Sequence, residues 1–378
     1  MNSGITFVTS HPMSVMSFML PHIRILKSLF PVQVLSNSND RSLLQQHCVD
    51  VPIDFVPIVR SISPWSDIKA LWIMYWRFKK SCPVAVHSIT PKAGLLSMAA
   101  AWLARVPVRV HSFTGQVWVT RTGFMRWFLK ATDKIIAAMA TDVLVDSPSQ
   151  RDFLIEQGVV STERSSVLGT GSICGVNTKR FSPNQSVREV MRNKLETVSD
   201  AVVCLYLGRL NRDKGVLDLA NAFSQVAVNH PNVELWIVGP DEANYFQQMQ
   251  VLLEKVKNQI RRIDFTSTPE RFMQAADLFC LPSYREGFGS SVIEAAACGV
   301  PTLASRIYGL TDAVVEGETG WMFKAGDVQE LALQFDRLFA NPARLASKGK
   351  ASRRYVKKFF AEEIVTDAML QFYQNRLS

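Results

Sequence analysis

With 378 residues, 47% of them hydrophobic and 20% charged, the chain is too apolar for a disordered segment and long enough for two domains. Its six cysteines are scattered with no C-x-x-C pair, most of them in apolar context, which suits reduced core residues in a cytoplasmic protein. The net charge of +9 points to a polyanionic partner: a phosphate-bearing substrate, an anionic membrane surface or a nucleic acid.

That charge is uneven. Residues 1–173 carry 17 Lys/Arg against 10 Asp/Glu, a net of +7, while residues 174–378 carry 25 against 23, a net of +2. Within residues 60–134 the balance is 12 basic to 2 acidic, Asp67 and Asp133. The N-terminus lacks a basic n-region and reads as a first strand, so no signal peptide is expected. The longest apolar run, 93–104, is shorter than the ~20 residues a spanning helix needs, and a soluble or peripheral protein follows.

In chain order, strand-like runs at 4–9, 32–35, 84–88, 108–112, 143–146 and 165–168 alternate with helical patterns at 16–29, 92–105, 123–139 and 149–157. This alternation predicts α/β architecture, a parallel sheet covered on both faces. Ligands of such sheets gather at the carboxyl ends of strands. The polar groups there are Thr9-Ser10-His11-Pro12, His87-Ser88-Ile89-Thr90 and His111-Ser112-Phe113-Thr114-Gly115. His111 is either an acceptor-site residue or a strand histidine whose Nδ1 is satisfied internally.

Two stretches of the first half, 69–80 and 118–130, mix Trp, Tyr and Phe with Lys and Arg. They read either as core helices with snorkelling basic rims or as segments facing an anionic membrane surface, which the lopsided local charge favours. A glycine-rich break at 169–183 then serves as a hinge. It divides the chain into domains 1–173 and 174–358, followed by a terminal segment, 359–378.

The second half opens with a buried strand, 202–207, and the turn Gly208-Arg209-Leu210-Asn211-Arg212-Asp213-Lys214-Gly215. An Arg and a Lys flanking a helix start suit a diphosphate. Another strand, 233–238, ends at Gly239-Pro240, and Phe265-Thr266-Ser267-Thr268-Pro269-Glu270 follows. The stretch from Ser283 to Pro301 is a glycine-punctuated turn, Glu286-Gly287-Phe288-Gly289, leading into an alanine-rich helix that stops at Cys298-Gly299. Glu294 is expected in the first helical turn. There it either forms a capping box with Ser291 or joins Glu286 and free backbone N–H groups in binding an anionic, hydroxyl-rich ligand.

Glu286, seven intervening residues and Glu294, between Leu281-Pro282-Ser283 and Cys298-Gly299-Val300-Pro301, resemble the E-x7-E signature of retaining GT-B glycosyltransferases, especially family 4. The Gly208–Gly215 turn resembles the family's G-R-L-x-x-x-K-G motif, and Gly175-Val176-Asn177 with Arg180-Phe181-Ser182-Pro183 resembles its inter-domain segment. The resemblance implies two Rossmann-like domains facing each other across a cleft, the first binding the acceptor, the second the nucleotide sugar, with a C-terminal helix crossing back to the first. It implies that Arg209 and Lys214 neutralise the departing diphosphate and that Glu294 holds the ribose. Glu286 and the Gly287, Phe288 and Gly289 amides would face the donor sugar, and Gly239 and Thr266 would lie along the nucleotide. The first half departs from the family: His11-Pro12-Met13-Ser14 replaces its glycine-rich loop and Thr114-Gly115 its His-Gly pair. His11, His111, Thr114 and Gly115 are therefore the acceptor-side candidates, His111 also as a catalytic substitute.

The expected activity is metal-independent transfer, without a cofactor, from a UDP-linked hexose or N-acetylhexosamine to a lipid-linked or polysaccharide acceptor at the inner membrane face. No D-x-D beside an apolar strand and no His/Cys cluster with ligand spacing occurs. A nucleotide-sugar epimerase of the same fold and a non-catalytic nucleotide-sugar-binding protein are the competing readings. A nucleic-acid partner is disfavoured, because the basic region holds no recognisable module.

Overall fold

A computed structural model describes residues 4–59, 61 and 63–378. The chain forms two compact units, residues 1–175 with 362–378, and residues 176–361. The divisions fall after Gly175 and Ala361, where the sequence reading sets them at 173 and 358.

The first unit is built on seven strands, β1 (Ile5–Val8), β2 (Val32–Ser36), β3 (Ile53–Phe55), β4 (Ala85–Ile89), β5 (Val108–Phe113), β6 (Asp142–Val145) and β7 (Ser165–Val167). All pairings are parallel and the order is β3-β2-β1-β4-β5-β6-β7. β1 and β4 are buried along their whole length, as strands of a parallel sheet covered on both faces are, and the polar side chains they hold, Thr6, His87 and Ser88, are buried with them. The chain steps from β1 to β2 on one side and to β4 on the other, so the switch point lies between β1 and β4. Helices Pro64–Ser81, Pro91–Leu103 and Gly123–Met139 pack side by side as one layer.

The terminal helix, Glu362–Leu377, belongs to this unit and packs on helix Leu20–Leu26. Tyr373 brings its hydroxyl 2.8 Å from His87 Nδ1, while His87 Nε2 lies 2.8 Å from Ser112 Oγ. Arg376 forks onto Asp142. One strand, β3, escaped the sequence reading because it is three residues long and lies between Pro52 and Pro57.

The second unit carries β8 (Val202–Leu207), β9 (Val233–Val238), β10 (Ile260–Ile263), β11 (Leu278–Leu281), β12 (Thr302–Ser305) and β13 (Gly320–Phe323) in the parallel order β10-β9-β8-β11-β12-β13. Its switch point lies between β8 and β11. Two glycines let the loops leaving this edge touch backbone to backbone. Gly239 has φ +138°, and a Cβ there would stand 2.0 Å from the Gly208 carbonyl oxygen. Gly215 has φ +66°, and a Cβ there would stand 2.0 Å from the Pro282 carbonyl oxygen. Only glycine adopts these angles cheaply and fits, so the turns after β8, β9 and β11 are locked together.

Candidate active site

The loops locked at the carboxyl ends of β8, β9 and β11 bring together the charged residues of the second unit. The turn after β8 is a 3-10 segment, Arg212–Lys214, capped by the Asn211 side chain, which accepts from Lys214 N. This cap orients Lys214, whose Nζ donates to Glu286 Oε1 at 2.5 Å. Ser283, fully buried at the end of β11, donates to the same oxygen at 2.8 Å. Glu286 is therefore fixed by one cation and one hydroxyl, across 72 residues of chain.

Arg209, on the same turn, is exposed and donates to Glu242 Oε1 at 2.7 Å, while Asn211 donates to Glu242 Oε2 at 2.7 Å. Tyr206 holds the turn from beneath, its hydroxyl donating to the Arg209 carbonyl at 2.7 Å. Arg285 reaches Asp213 and Tyr284 reaches Asp218 at 2.6 Å, further stitching the β11 loop to the β8 turn. Each of the two predicted cations thus sits beside a carboxylate. A ligand diphosphate would exchange one anion for another at Arg209 and Lys214 without new cations being recruited.

Helix Ser290–Ala297 begins two residues earlier than a Ser291–Glu294 capping box requires. Its N-cap is Gly289 in the left-handed region, with no side-chain cap. Ser291 consequently lies inside the helix and Glu294 in its second turn, so the Ser291–Glu294 capping box is not formed. Among the described residues Glu294 makes no hydrogen bond through its carboxyl group. Burial pushes this carboxyl up to about 7, with Arg180 opposing and Glu270 assisting. Arg180 itself is bound to Glu270 at 2.8 Å. Gly287, Phe288 and Gly289 are buried, and the Phe288 ring packs on Phe360 at 4.9 Å. Phe288 thus contributes only backbone to the loop. Thr266 is half-buried and accepts from Thr268 N at 3.0 Å.

In the first unit, Ser10 and Thr90 meet at 3.2 Å across the switch point. His11 is exposed beside them, its Nδ1 accepting from Met13 N at 3.2 Å. Thr114 and Gly115 are half-buried just past β5. His111 does not join them. It is 1% exposed, lies 2.8 Å from Ser88 Oγ through Nδ1, and covers Gly94, where a Cβ would stand 2.4 Å from its Cε1. Burial lowers its pKa to about 3, and a neutral, enclosed ring reaches neither acceptor nor solvent. Sequence reasoning missed Glu242, Asn211 and Ser283 as partners of the cations and of Glu286. Only the Asp-Glu pair following Gly239-Pro240 hinted at the first of these.

Residues 187–356 match the family described as glycosyl transferases group 1, and residues 24–171 match the glycosyl transferase 4-like domain. The capsular polysaccharide biosynthesis glycosyltransferase CapM of Staphylococcus aureus is 30% identical over 341 residues, 90% of this chain and 89% of that protein. The Escherichia coli UDP-Gal:alpha-D-GlcNAc-diphosphoundecaprenol alpha-1,3-galactosyltransferase is 26% identical over 284 residues, 72% of this chain and 71% of that one. Among solved structures, Anabaena HepE in complex with UDP and glucose superposes with a TM-score of 0.82 at 18% identity, covering 98% of this chain and 99% of that one. Sucrose-phosphate synthase from Thermosynechococcus elongatus gives 0.80 at 21% identity, covering 99% and 98%.

Proposed function

Because the chain belongs to the group 1 glycosyltransferases and has the GT-B fold of two parallel-sheet, Rossmann-like units, we propose that it transfers a hexose or N-acetylhexosamine from a UDP-linked donor to a lipid-linked glycan or polysaccharide acceptor, with retention of configuration. The observation that carries this reading is the gathering of Arg209 and Lys214, on the turn after β8, with Glu286, on the loop after β11, at the switch point of the second sheet. CapM, by its name, serves capsular polysaccharide biosynthesis, and the E. coli relative acts on a diphosphoundecaprenol-linked sugar. Both support an acceptor of that class, and the proposal places the reaction at the inner, anionic membrane face.

In the proposed reaction the acceptor hydroxyl attacks the anomeric carbon as the bond from that carbon to the β-phosphate oxygen breaks. The electron pair leaves with the diphosphate, and the hydroxyl proton passes to a diphosphate oxygen on the same face. Arg209 and Lys214 take up the developing charge without a metal ion. Glu286 and the Gly287–Gly289 backbone orient the sugar, Glu294 holds the ribose hydroxyls, and Gly239 and Thr266 flank the nucleotide. His11, Thr114 and Gly115 form the acceptor side.

A panel of nucleotide sugars, scored for release of nucleoside diphosphate with and without a diphospholipid-linked sugar, tests this. Acceptor-dependent release that persists in a chelator is expected. Conversion of the donor to an epimer without acceptor, or binding with no turnover, would overturn it.

A further inference from the structure

We propose that the outer face of the layer formed by helices Pro64–Ser81, Pro91–Leu103 and Gly123–Met139 is a docking surface for an anionic lipid bilayer. Each of the two flanking helices already buries one apolar stripe. On Pro64–Ser81 it is Ala70, Met74 and Phe78, and on Gly123–Met139 it includes Ile136 and Ala137. A helix with one stripe in the core is normally polar on its opposite side. Here the opposite sides are apolar as well.

Trp65, Ile68, Trp72 and Trp76 recur at helical spacing on the outer side of the first helix, with Trp65 85% exposed. Phe124, Trp127, Phe128 and Ile135 do so on the other, with Phe124 73% exposed. Trp102 and Leu103 are exposed at the end of the helix between them. Scattered exposed apolar residues are ordinary, but an exposed aromatic stripe on each of the two flanking helices calls for a cover.

The charge identifies that cover. Lys69, Lys79 and Lys80 flank the first stripe, and Arg121 and Lys134 lie beside the second, all exposed. The two acids of the region are neutralised internally: Asp67 pairs with Lys92 at 2.7 Å, and Asp133 is buried, accepting from Trp118 Nε1 at 2.8 Å. Trp118 is correspondingly a core residue, stacked on Phe153 beneath Arg126 and Lys130, and does not join the surface. Tryptophan seats at the headgroup level while Lys and Arg meet lipid phosphate. A second copy of the chain would oppose cations to cations. The surface deepens the lipid-linked reading of the acceptor but stands on the helices alone, so the two can fail separately.

Co-sedimentation of the full chain with vesicles of equal parts phosphatidylglycerol and phosphatidylcholine tests it without any nucleotide sugar. Binding is expected, with little to phosphatidylcholine alone. Trp72→Ser with Trp76→Ser, and separately Lys69→Glu with Lys134→Glu, should each lower partitioning about tenfold while leaving UDP binding unchanged. Absence of vesicle binding by a chain that binds UDP, equal binding by the variants, or a dimer abolished by the tryptophan changes would overturn the proposal.

Discussion

Lys214 and Glu286 are both largely shielded from water and satisfy one another, so removing either leaves the other charge uncompensated. Lys214→Ala and Glu286→Ala should each lower kcat/KM for transfer by about 10²–10³-fold. The double variant should lose less than the two losses combined, because the partners act as one unit. Strictly multiplicative losses would show that they work apart. Glu294 makes a different prediction. With its carboxyl at about 7 in the unliganded protein, ribose hydroxyls bind better to the ionised form. Donor affinity should therefore rise as pH climbs through 7, and Glu294→Gln should abolish that dependence; isothermal titration across this range measures it. The spacing of Glu286 and Glu294 and the Arg209–Lys214 turn were legible in the sequence because each lies within one local segment. The Glu242 and Ser283 contacts were not. Glu242 reaches Arg209 from the neighbouring strand's loop 33 residues away, and the hydroxyl of Ser283 becomes a ligand of Glu286 only once the β11 loop has turned.

Elements depend on backbone fit at the switch points. Gly215→Ala would force a Cβ against the Pro282 carbonyl at a positive φ, costing about 2 kcal/mol or more; chemical denaturation measures the loss, and donor binding should weaken with it. The alternation of apolar runs and helical stretches was legible because strands covered on both faces and amphipathic helices have distinct periods. Which strand residues lose all contact with water was not, since that depends on neighbours supplied by tertiary packing. His111 reads as a strand-end histidine open to the acceptor side until helix Pro91–Leu103 closes over it at Gly94. Burial also raises Asp146 to about 8 and Asp133 to about 7, while it lowers His22 to about 4 and His111 to about 3. A raised carboxyl keeps its proton in the fold and loses it in the unfolded chain, so its contribution is complete below 3.8 and disappears as pH rises through the folded value. The histidines act oppositely, weakening the fold below 6.5. From pH 6.5 to 8 the carboxyls govern this set. The first unit should lose stability over that interval, and Asp146→Asn should flatten the loss in thermal unfolding.

At the scale of the whole molecule, the first unit carries the aromatic stripes and the locally basic stretch 60–134, while the second carries the carboxylate-held cations. The proposed donor binding and the proposed membrane contact thereby fall on separate units, and changes to one set of residues should leave the other property intact. Raising ionic strength should weaken vesicle binding through the dispersed surface cations. The direct test of the central claim is titration of uridine diphosphate into the intact protein and into an Arg209→Ala, Lys214→Ala double variant. Saturable binding by the wild type, weakened about a hundredfold or more in the double variant, is the predicted result; equal affinity in the two proteins would contradict it.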